Sequence, residues 1–263
     1  DGMRHAHTPN IDRLMACGAY TMTARTVMPS VTLPCHTSML RGVEPTRHGV
    51  TSNTFQPLAR PVPSLLDAAH AAGLRAGSFF NWEELRDLAA PGSLYVSGFT
   101  RDCYSTGGDL WVARCAATHI VDYDLDLAFV YFGYTDECGH RTDWMSEPYL
   151  EAIAGADRAI GVVLDGCAST ARETVALVLS DHGGHGRSHG TDCEEDMTIP
   201  WVLCGPGVKK GCLIQSEVRI FDTCPTLAHC LGLKAAPQWE GAIISEAFTE
   251  AGFEHRISTG AAQ

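Results

Sequence analysis

Several features that would assign a protein to a class at once are missing from this sequence. Its 263 residues hold no apolar run near the roughly 20 residues that cross a bilayer, no signal-peptide pattern, no internal repeat and no interdomain linker. We therefore expect a single domain over 1–263 and no membrane partner. Because the chain opens on Asp1 instead of methionine, we also expect the natural chain to continue upstream.

Paired cysteines and basic clusters are missing as well. The 11 cysteines are an odd number without a Cys-x-x-Cys pair, which is typical of reduced thiols and predicts a cytoplasmic protein. Lysine and arginine number 19 against 31 acidic residues, for a formal charge of -12, and they form no run. A surface of that charge repels polyphosphate, so we expect no nucleic acid polymer as a partner.

The order of apolar segments predicts an α/β protein. Strand patterns over 127–132 and 198–204 alternate with helix patterns such as 147–167. This alternation favours a three-layer αβα sandwich around a mostly parallel central sheet. Residues 82 to about 108 are less regular and are predicted to form a small cap or specificity loop, while the tail beyond Glu246 is predicted to fray.

The stretch 175–190 joins a buried strand pattern to groups that bind metals. An apolar run from Val175 ends at Asp181 and His182, and glycines follow. Open α/β sheets place their sites at the carboxyl ends of their strands. Charged groups at the end of such a run are costly to bury without a partner, so we interpret this pair as functional.

Other turn and strand ends carry similar groups. The candidate ligands are Asp1, Thr32, Asp136, His140, Asp181, His182 and His189. Mixed aspartate and histidine donors suit zinc, with manganese or iron as competitors. The set is too large for one tetrahedral ion and fits two divalent ions roughly 3.5–4 Å apart, an arrangement that clamps both oxygens of a displacement at phosphorus.

Taken one at a time, these residues have simpler explanations. An Asp-Gly pair such as Asp1-Gly2 is usually a turn, and most single histidines are surface groups or bonded core groups. Asp136 and His140 also fit the start of a helix, with the histidine one turn after the acid. The string after Val175 is harder to explain in this way.

The order of the motifs resembles the alkaline phosphatase superfamily and, within it, the type I phosphodiesterase/nucleotide pyrophosphatase family. Thr32-Leu-Pro-Cys-His36 stands where that family has Thr-Phe-Pro-Asn-His, 47–50 matches its Ser-His-Gly-Ile segment, and 197–207 matches its late strand and Gly-Pro-Gly turn. The resemblance covers about residues 1–232. It implies one alkaline-phosphatase-like catalytic domain with a small cap insertion.

The resemblance also implies a role for each ligand. One metal would be held by Asp136, His140 and His189, and the other by Asp1, Asp181 and His182, with Thr32 as the nucleophile beside it. His185 competes with His189; we prefer His189 because the spacing from it to Met197 matches the family, which leaves His185 at the mouth of the site. A dication beside the threonine oxygen favours the alkoxide, which would attack phosphorus and form a phosphothreonine.

Residues that contact the substrate are harder to predict. Cys35 occupies the place of a family asparagine that donates to a phosphate oxygen, and a thiol is a weak donor. The contact is then either weakened or replaced by a backbone N–H or by a side chain such as Asn53 or Asn81. In the simpler explanation, Cys35 is a small buried apolar residue. Trp82 and His185 are the other candidates for substrate contacts.

The implied function is hydrolysis of a small phosphodiester or nucleotide pyrophosphate. The alternatives are a phosphonate or phosphomonoester hydrolase of the same superfamily and, from another class, a metal-bound pseudoenzyme or ligand-binding module. A sulfatase is disfavoured because its formylglycine forms from cysteine or serine, and the chain has Thr32 at that position. The oligomeric state stays open.

Overall fold

The structure is a computed structural model that describes residues 1–253. Its helices are α1 (Gly2–His5), α2 (Pro9–Cys17), α3 (Thr32–Arg41), α4 (Pro45–His48), α5 (Leu65–Ala71), α6 (Thr106–Tyr123), α7 (Tyr134–Thr142), α8 (Glu147–Ala168), α9 (Glu194–Met197) and α10 (Thr223–Cys230). Its strands are β1 (Ala19–Arg25), β2 (Ala76–Phe80), β3 (Val96–Phe99), β4 (Leu127–Val130), β5 (Ala176–Leu179), β6 (Thr198–Cys204) and β7 (Cys212–Leu213). Short 3-10 helices span Glu83–Asp87, Ile220–Asp222 and Ser245–Ala247.

The strands form two sheets, and the predicted α/β class is confirmed. The three-stranded sheet has the order β3-β2-β4 and is wholly parallel, as predicted. The four-stranded sheet has the order β5-β6-β1-β7, and in it β6 runs antiparallel to both of its neighbours. The connection from β5 to β6 contains only the four-residue α9. Parallel strands usually need a longer crossover helix, so here the chain turns back antiparallel.

Both sheets are covered on both faces, which gives three layers. In β6, Trp201 and Leu203 pack in one apolar cluster with Met39 of α3, whereas Val202 between them packs against Ile11 of α2. Alternate residues of a strand point to opposite faces, so β6 lies between two layers of helices. The same holds for β2, where Phe79 packs against α6 and Phe80 against α5.

Capping residues fix where several helices begin and end. Pro9 occupies the first turn of α2, as the sequence predicts, and Ser64 and Asp67 form a reciprocal capping box at the start of α5. Gly42 ends α3 with φ 63°, a left-handed conformation that favours glycine. These stops set the length of α3, whose first residue is Thr32.

Three segments differ from the sequence-based prediction. Asp1 was counted among the turn and strand ends, but it precedes a helix, because residues 2–5 form α1. Part of the predicted cap at 82–108 belongs to the fold, because β3 pairs with β2. In the tail, Phe248 is buried where fraying was expected, and the remainder of that tail, 254–263, lies outside the described residues.

Two properties of the described residues bear on the whole fold. The 11 cysteines all lie within residues 1–253, and the structure joins none of them to another in a disulfide. Within the part of the chain that the structure describes, no helix has the length and apolar character needed to cross a membrane.

Candidate two-metal active site

Three elements bring the predicted ligands to one place. Asp136 and His140 lie on α7, directly after β4, and Asp181 and His182 follow β5. The first residue of α3, Thr32, completes the arrangement, with its hydroxyl Oγ1 3.3 Å from Nε2 of His182. The sequence predicted this convergence from the rule that sites form at strand ends.

The first set of ligands, here called the outer group, is Asp136, His140 and His189. Nε2 of His140 lies 3.5 Å from Oδ2 of Asp136, and Nε2 of His189 lies 3.6 Å from Oδ1 of the same carboxylate. One ligand atom from each of the three residues falls within 4.8 Å of the others. The structure therefore brings His189, and not His185, next to Asp136 and His140.

The second set, here called the inner group, is Asp181 and His182. Nε2 of His182 lies 3.3 Å from Oδ2 of Asp181 and 4.0 Å from Oδ1 of Asp136, so the two groups are adjacent. The rings of His182 and His189 stack with centroids 3.8 Å apart. The sequence analysis missed one more neighbour: Nδ1 of buried His36 lies 3.4 Å from Oδ2 of Asp181.

Backbone carbonyls orient the three imidazoles in the same way. Nδ1 of His182 lies 2.8 Å from the carbonyl of Gly183, Nδ1 of His189 lies 2.8 Å from that of Ser30, and Nδ1 of His140 lies 2.9 Å from that of Arg187. A carbonyl can only accept, so each Nδ1 donates and each Nε2 keeps its lone pair. This is the arrangement that metal-binding histidines show in proteins, because the outer bond fixes the ring and its tautomer.

The carboxylates of Asp136 and Asp181 also have oxygens that are able to bind cations. Oδ1 of Asp136 and Oδ2 of Asp181 are buried and have no hydrogen-bond partner among the described residues. Buried carboxylate oxygens are normally satisfied, since leaving one unpaired costs on the order of 1–3 kcal/mol or more. Two such oxygens beside three imidazole lone pairs fit a pair of divalent cations. Carboxylate and imidazole donors suit zinc and other borderline metals, and the donors alone do not select one.

Electrostatics differ between neighbouring imidazoles. Burial alone would lower the pKa of His182, but the Asp181 and Asp136 carboxylates outweigh it and raise that pKa. The pKa of His189 is lowered by burial and by the adjacent His182. Burial also lowers the pKa of His36.

A small pocket opens onto the site. Its lining residues are Thr32, Asn53, Trp82, Cys103, Tyr131, Gly133, Asp136, Glu137, His140 and His189. The lining includes Asn53 and Trp82, two of the predicted substrate contacts. Asn53 Oδ1 accepts from the backbone N–H of Leu33, so its amide nitrogen is the group that it can offer to a substrate.

Asp1 does not join the inner group in this structure. Its side chain is 74% exposed and lies 3.9 Å from Arg4, at the start of α1. No hydrogen bond or ion pair among residues 1–253 connects it to Asp181 or His182. Asp1 instead occupies the N-cap position of α1, a four-residue helix without buried residues, which holds its carboxylate at the surface.

Three predicted substrate contacts are placed elsewhere. Cys35 is fully buried in the core cluster, with its Sγ 3.1 Å from the Thr26 hydroxyl, and burial raises its pKa to about 12. Asn81 is 1% exposed, and its amide donates to Asp102 and Asp109 while its oxygen accepts from the N–H of Gly133. Asn81 therefore positions the loop before α7 in place of the predicted contact. His185 is outside the pocket lining and bonds to Asp196.

Comparison with known proteins identifies a family. Residues 1–189 match the family model described as type I phosphodiesterase/nucleotide pyrophosphatase. The rat ectonucleotide pyrophosphatase/phosphodiesterase family member 1 is 26% identical over 217 residues, which cover 70% of this chain and 23% of that protein. Human family member 7 is also 26% identical, over 67% of this chain and 43% of that protein. The chain thus spans between about a quarter and under a half of these relatives.

Solved structures share the fold. An inactive form of murine ectonucleotide pyrophosphatase/phosphodiesterase 5 in complex with AMP superposes with a TM-score of 0.79, at 14% identity, over 95% of this chain and 96% of that one. A 2-O GAG sulfatase superposes with a TM-score of 0.70, at 17% identity, over 93% and 69%. Since the family model covers most of the sequence, the chain belongs to the type I phosphodiesterase/nucleotide pyrophosphatase family, within the alkaline phosphatase superfamily.

Proposed function

We propose that this chain hydrolyses small phosphodiesters or nucleotide pyrophosphates at a two-metal site, with Thr32 as the nucleophile. The observation that carries the proposal is the position of the Thr32 hydroxyl, which lies 3.3 Å from His182 Nε2 and lines the pocket beside Asp136. Family membership supports the reaction class, and the AMP bound to the murine neighbour supports a nucleotide as substrate.

The predicted ligands would hold two ions, with Thr32 as the nucleophile. The outer group would hold one divalent ion, and Asp181 and His182 would hold the other beside Thr32. When bound there, the ions supply Lewis-acid stabilisation of charge on the phosphoryl and leaving oxygens. We infer zinc, because its usual ligands in proteins include the histidines and aspartates of this site.

The protein's own groups define a two-step path. Thr32 Oγ1 gives its proton to solvent and attacks phosphorus, and the bond to the leaving oxygen breaks, so that this oxygen departs with its alcohol or phosphate. The phosphothreonine that forms keeps the substrate's other ester group, which for a nucleotide substrate is the nucleoside. Water then attacks the same phosphorus, the bond to Oγ1 breaks, and the hydroxyl is restored. The amino end of the ten-residue α3 is the positive end of its dipole, which favours the negative phosphoryl group next to Thr32.

The remaining pocket residues set the choice of substrate. Asn53 offers its amide nitrogen to a non-bridging phosphate oxygen, the contact once expected of Cys35. Half-buried Trp82 presents an aromatic surface at the pocket, which suits stacking with a nucleobase. These two residues favour a nucleotide over an aliphatic phosphonate.

Initial rates on three substrates test the function. We expect a nitrophenyl nucleotide diester to be cleaved faster than nitrophenyl phosphate or phosphonoacetate, and Thr32→Ala to lower the diester rate by about 10³-fold or more. Thr37→Ala is the matched control, because Thr37 is a buried threonine of the same helix whose hydroxyl donates to the Leu33 carbonyl, away from the ligands. Full diester turnover by Thr32→Ala would refute the nucleophile, and a faster monoester or phosphonate rate would refute the substrate class.

A further inference from the structure

A second cluster of metal-type ligands lies on the loop between β5 and β6. It consists of His185, Cys193 and Asp196, whose ligand atoms fall within 4.8 Å of one another. Nδ1 of His185 lies 2.8 Å from Oδ1 of Asp196 and 3.5 Å from Sγ of Cys193. These residues belong to neither the outer nor the inner group, and the proposed reaction does not use them.

The spacing matches what one ion requires. With a metal–sulfur bond of about 2.3 Å and a metal–nitrogen bond of about 2.0–2.1 Å, a tetrahedral angle places the two ligand atoms roughly 3.5 Å apart. The His185 and Cys193 atoms have this separation without any rearrangement. The Asp196 oxygen is closer to the imidazole, at a distance that a narrower angle at the ion accommodates.

The carboxylate is held as metal-binding carboxylates usually are. Asp196 is fully buried, and its second oxygen, Oδ2, accepts from the backbone N–H of Thr191 at 2.9 Å and from the Thr191 hydroxyl at 2.7 Å. Bonds of this kind fix a ligand's orientation before the ion arrives. They leave Oδ1 directed to His185, which is half-exposed, so that solvent can supply a fourth ligand.

We propose that His185 Nδ1, Cys193 Sγ and Asp196 Oδ1 bind one thiophilic divalent cation of the zinc class, separate from the catalytic pair. Binding displaces the proton of the Cys193 thiol to solvent and moves the His185 ring proton to Nε2, so that a thiolate and an imidazole lone pair meet the ion. The ion would join both ends of the segment 185–196. Since His189 lies between those ends, the site braces the loop that carries an outer-group ligand.

Cadmium absorption distinguishes the proposed site from the two catalytic metal sites. The proposed catalytic ligands include no cysteine, so a thiolate-to-cadmium charge-transfer band reports only on cysteine sites. We expect the metal-free full chain to develop this band on titration with cadmium, and Cys193→Ser to lose it. Cys115→Ser is the matched control, because Cys115 lies 3.7 Å from His119 but has no third ligand among the described residues.

A second variant tests whether cadmium binding requires the histidine as well as the cysteine. His185→Gln changes a half-exposed side chain and should weaken cadmium binding by at least about tenfold, the loss that even an outer-shell change produces. Circular dichroism of each variant shows whether it is folded. A band that persists in Cys193→Ser, or a cadmium affinity that His185→Gln leaves unchanged, would overturn the proposal. Neither result would bear on Thr32 or the phosphodiesterase activity.

Discussion

The outer and inner groups perform related tasks in different surroundings. The side chains of Asp136 and His140 are 25% and 38% exposed at the pocket, whereas those of Asp181 and His182 are 15% and 3% exposed against α3. The inner group is also tied to the core, because Thr26 donates to the Asp181 carbonyl at 2.5 Å and His36 faces its carboxylate. A change in the outer group should therefore alter metal binding alone, and a change in the inner group should alter both metal binding and stability.

The largest expected effect separates the two groups directly. Asp136→Asn and Asp181→Asn should each lower diester turnover by about 10²–10³-fold, because each removes an anionic ligand from the reacting centre. Only Asp181→Asn should also change the midpoint of thermal unfolding of the metal-free chain by several degrees. Asp143→Asn, at the exposed end of α7, is the control and should change neither quantity. If Asp136→Asn and Asp181→Asn changed the unfolding midpoint equally, the proposed difference between the outer and inner groups would be contradicted.

His36 offers a finer test of the inner group. Its ring packs edge-on against Tyr131 at 5.1 Å and donates to the Thr32 carbonyl, so it buttresses both Asp181 and the nucleophile. We expect His36→Gln to weaken the inner metal by about 10–100-fold while the outer metal stays bound. Calorimetric titration of the stripped chain with zinc measures this. His48→Gln, a buried histidine that contacts Ser38, should leave both affinities unchanged.

Asp109 is a buried carboxyl group that is not part of the outer or inner group. Oδ2 of Asp109 is also without a hydrogen-bond partner among the described residues, and burial raises the pKa of this carboxyl to about 7. The folded chain thus keeps a proton that the unfolded chain loses near pH 4, so this group's contribution to stability falls as the pH rises from about 4 to 7. Asp109→Asn should flatten that dependence, by on the order of 1 kcal/mol per pH unit. The measurement is the free energy of unfolding by urea at several pH values between about 4 and 7. If its dependence on pH is the same in Asp109→Asn as in the original chain, the raised pKa of Asp109 is contradicted.

The smallest effect concerns Cys35, which the structure moves from the substrate site to the core. Cys35→Ala should leave diester turnover within about twofold of the original and cost about 1 kcal/mol of stability, because it removes one small buried group. Cys35→Asn, which restores the family's residue, should destabilise the chain further, since it buries an amide among apolar neighbours. A rise in turnover with Cys35→Asn would show that the side chain reaches the phosphate.

The ligands that lie at strand ends or on one helix turn could be predicted from the sequence. Asp136 and His140 are four residues apart on α7, and Asp181 and His182 end β5, so local periodicity was sufficient to place them. His36 was missed because its spacing of four from Thr32 fixes the helix face but not the carboxylate that it meets. Asn81 was predicted as a substrate contact, but it follows β2 directly and its side-chain direction depends on Asp109 and Gly133, which only tertiary contacts reveal.

The antiparallel return of β6 was also beyond the sequence pattern. Periodicity identified β6 within its observed bounds, but strand direction depends on the connection between β5 and β6. That connection holds ligand loops in place of a crossover helix. The same loop carries His189 and the separate His185 cluster, so the departure from a parallel sheet coincides with a region rich in candidate ligands.

The central claim is that the two groups activate Thr32 as a nucleophile, and trapping the covalent intermediate tests it most directly. The zinc-loaded chain is mixed with a nitrophenyl nucleotide diester, quenched in acid within the first turnovers and digested for mass spectrometry. We predict a nucleotidyl phosphate ester on the peptide that contains Thr32, formed with release of nitrophenol, and none in Thr32→Ala. Product formation with no modified Thr32 peptide at any quench time would contradict the claim.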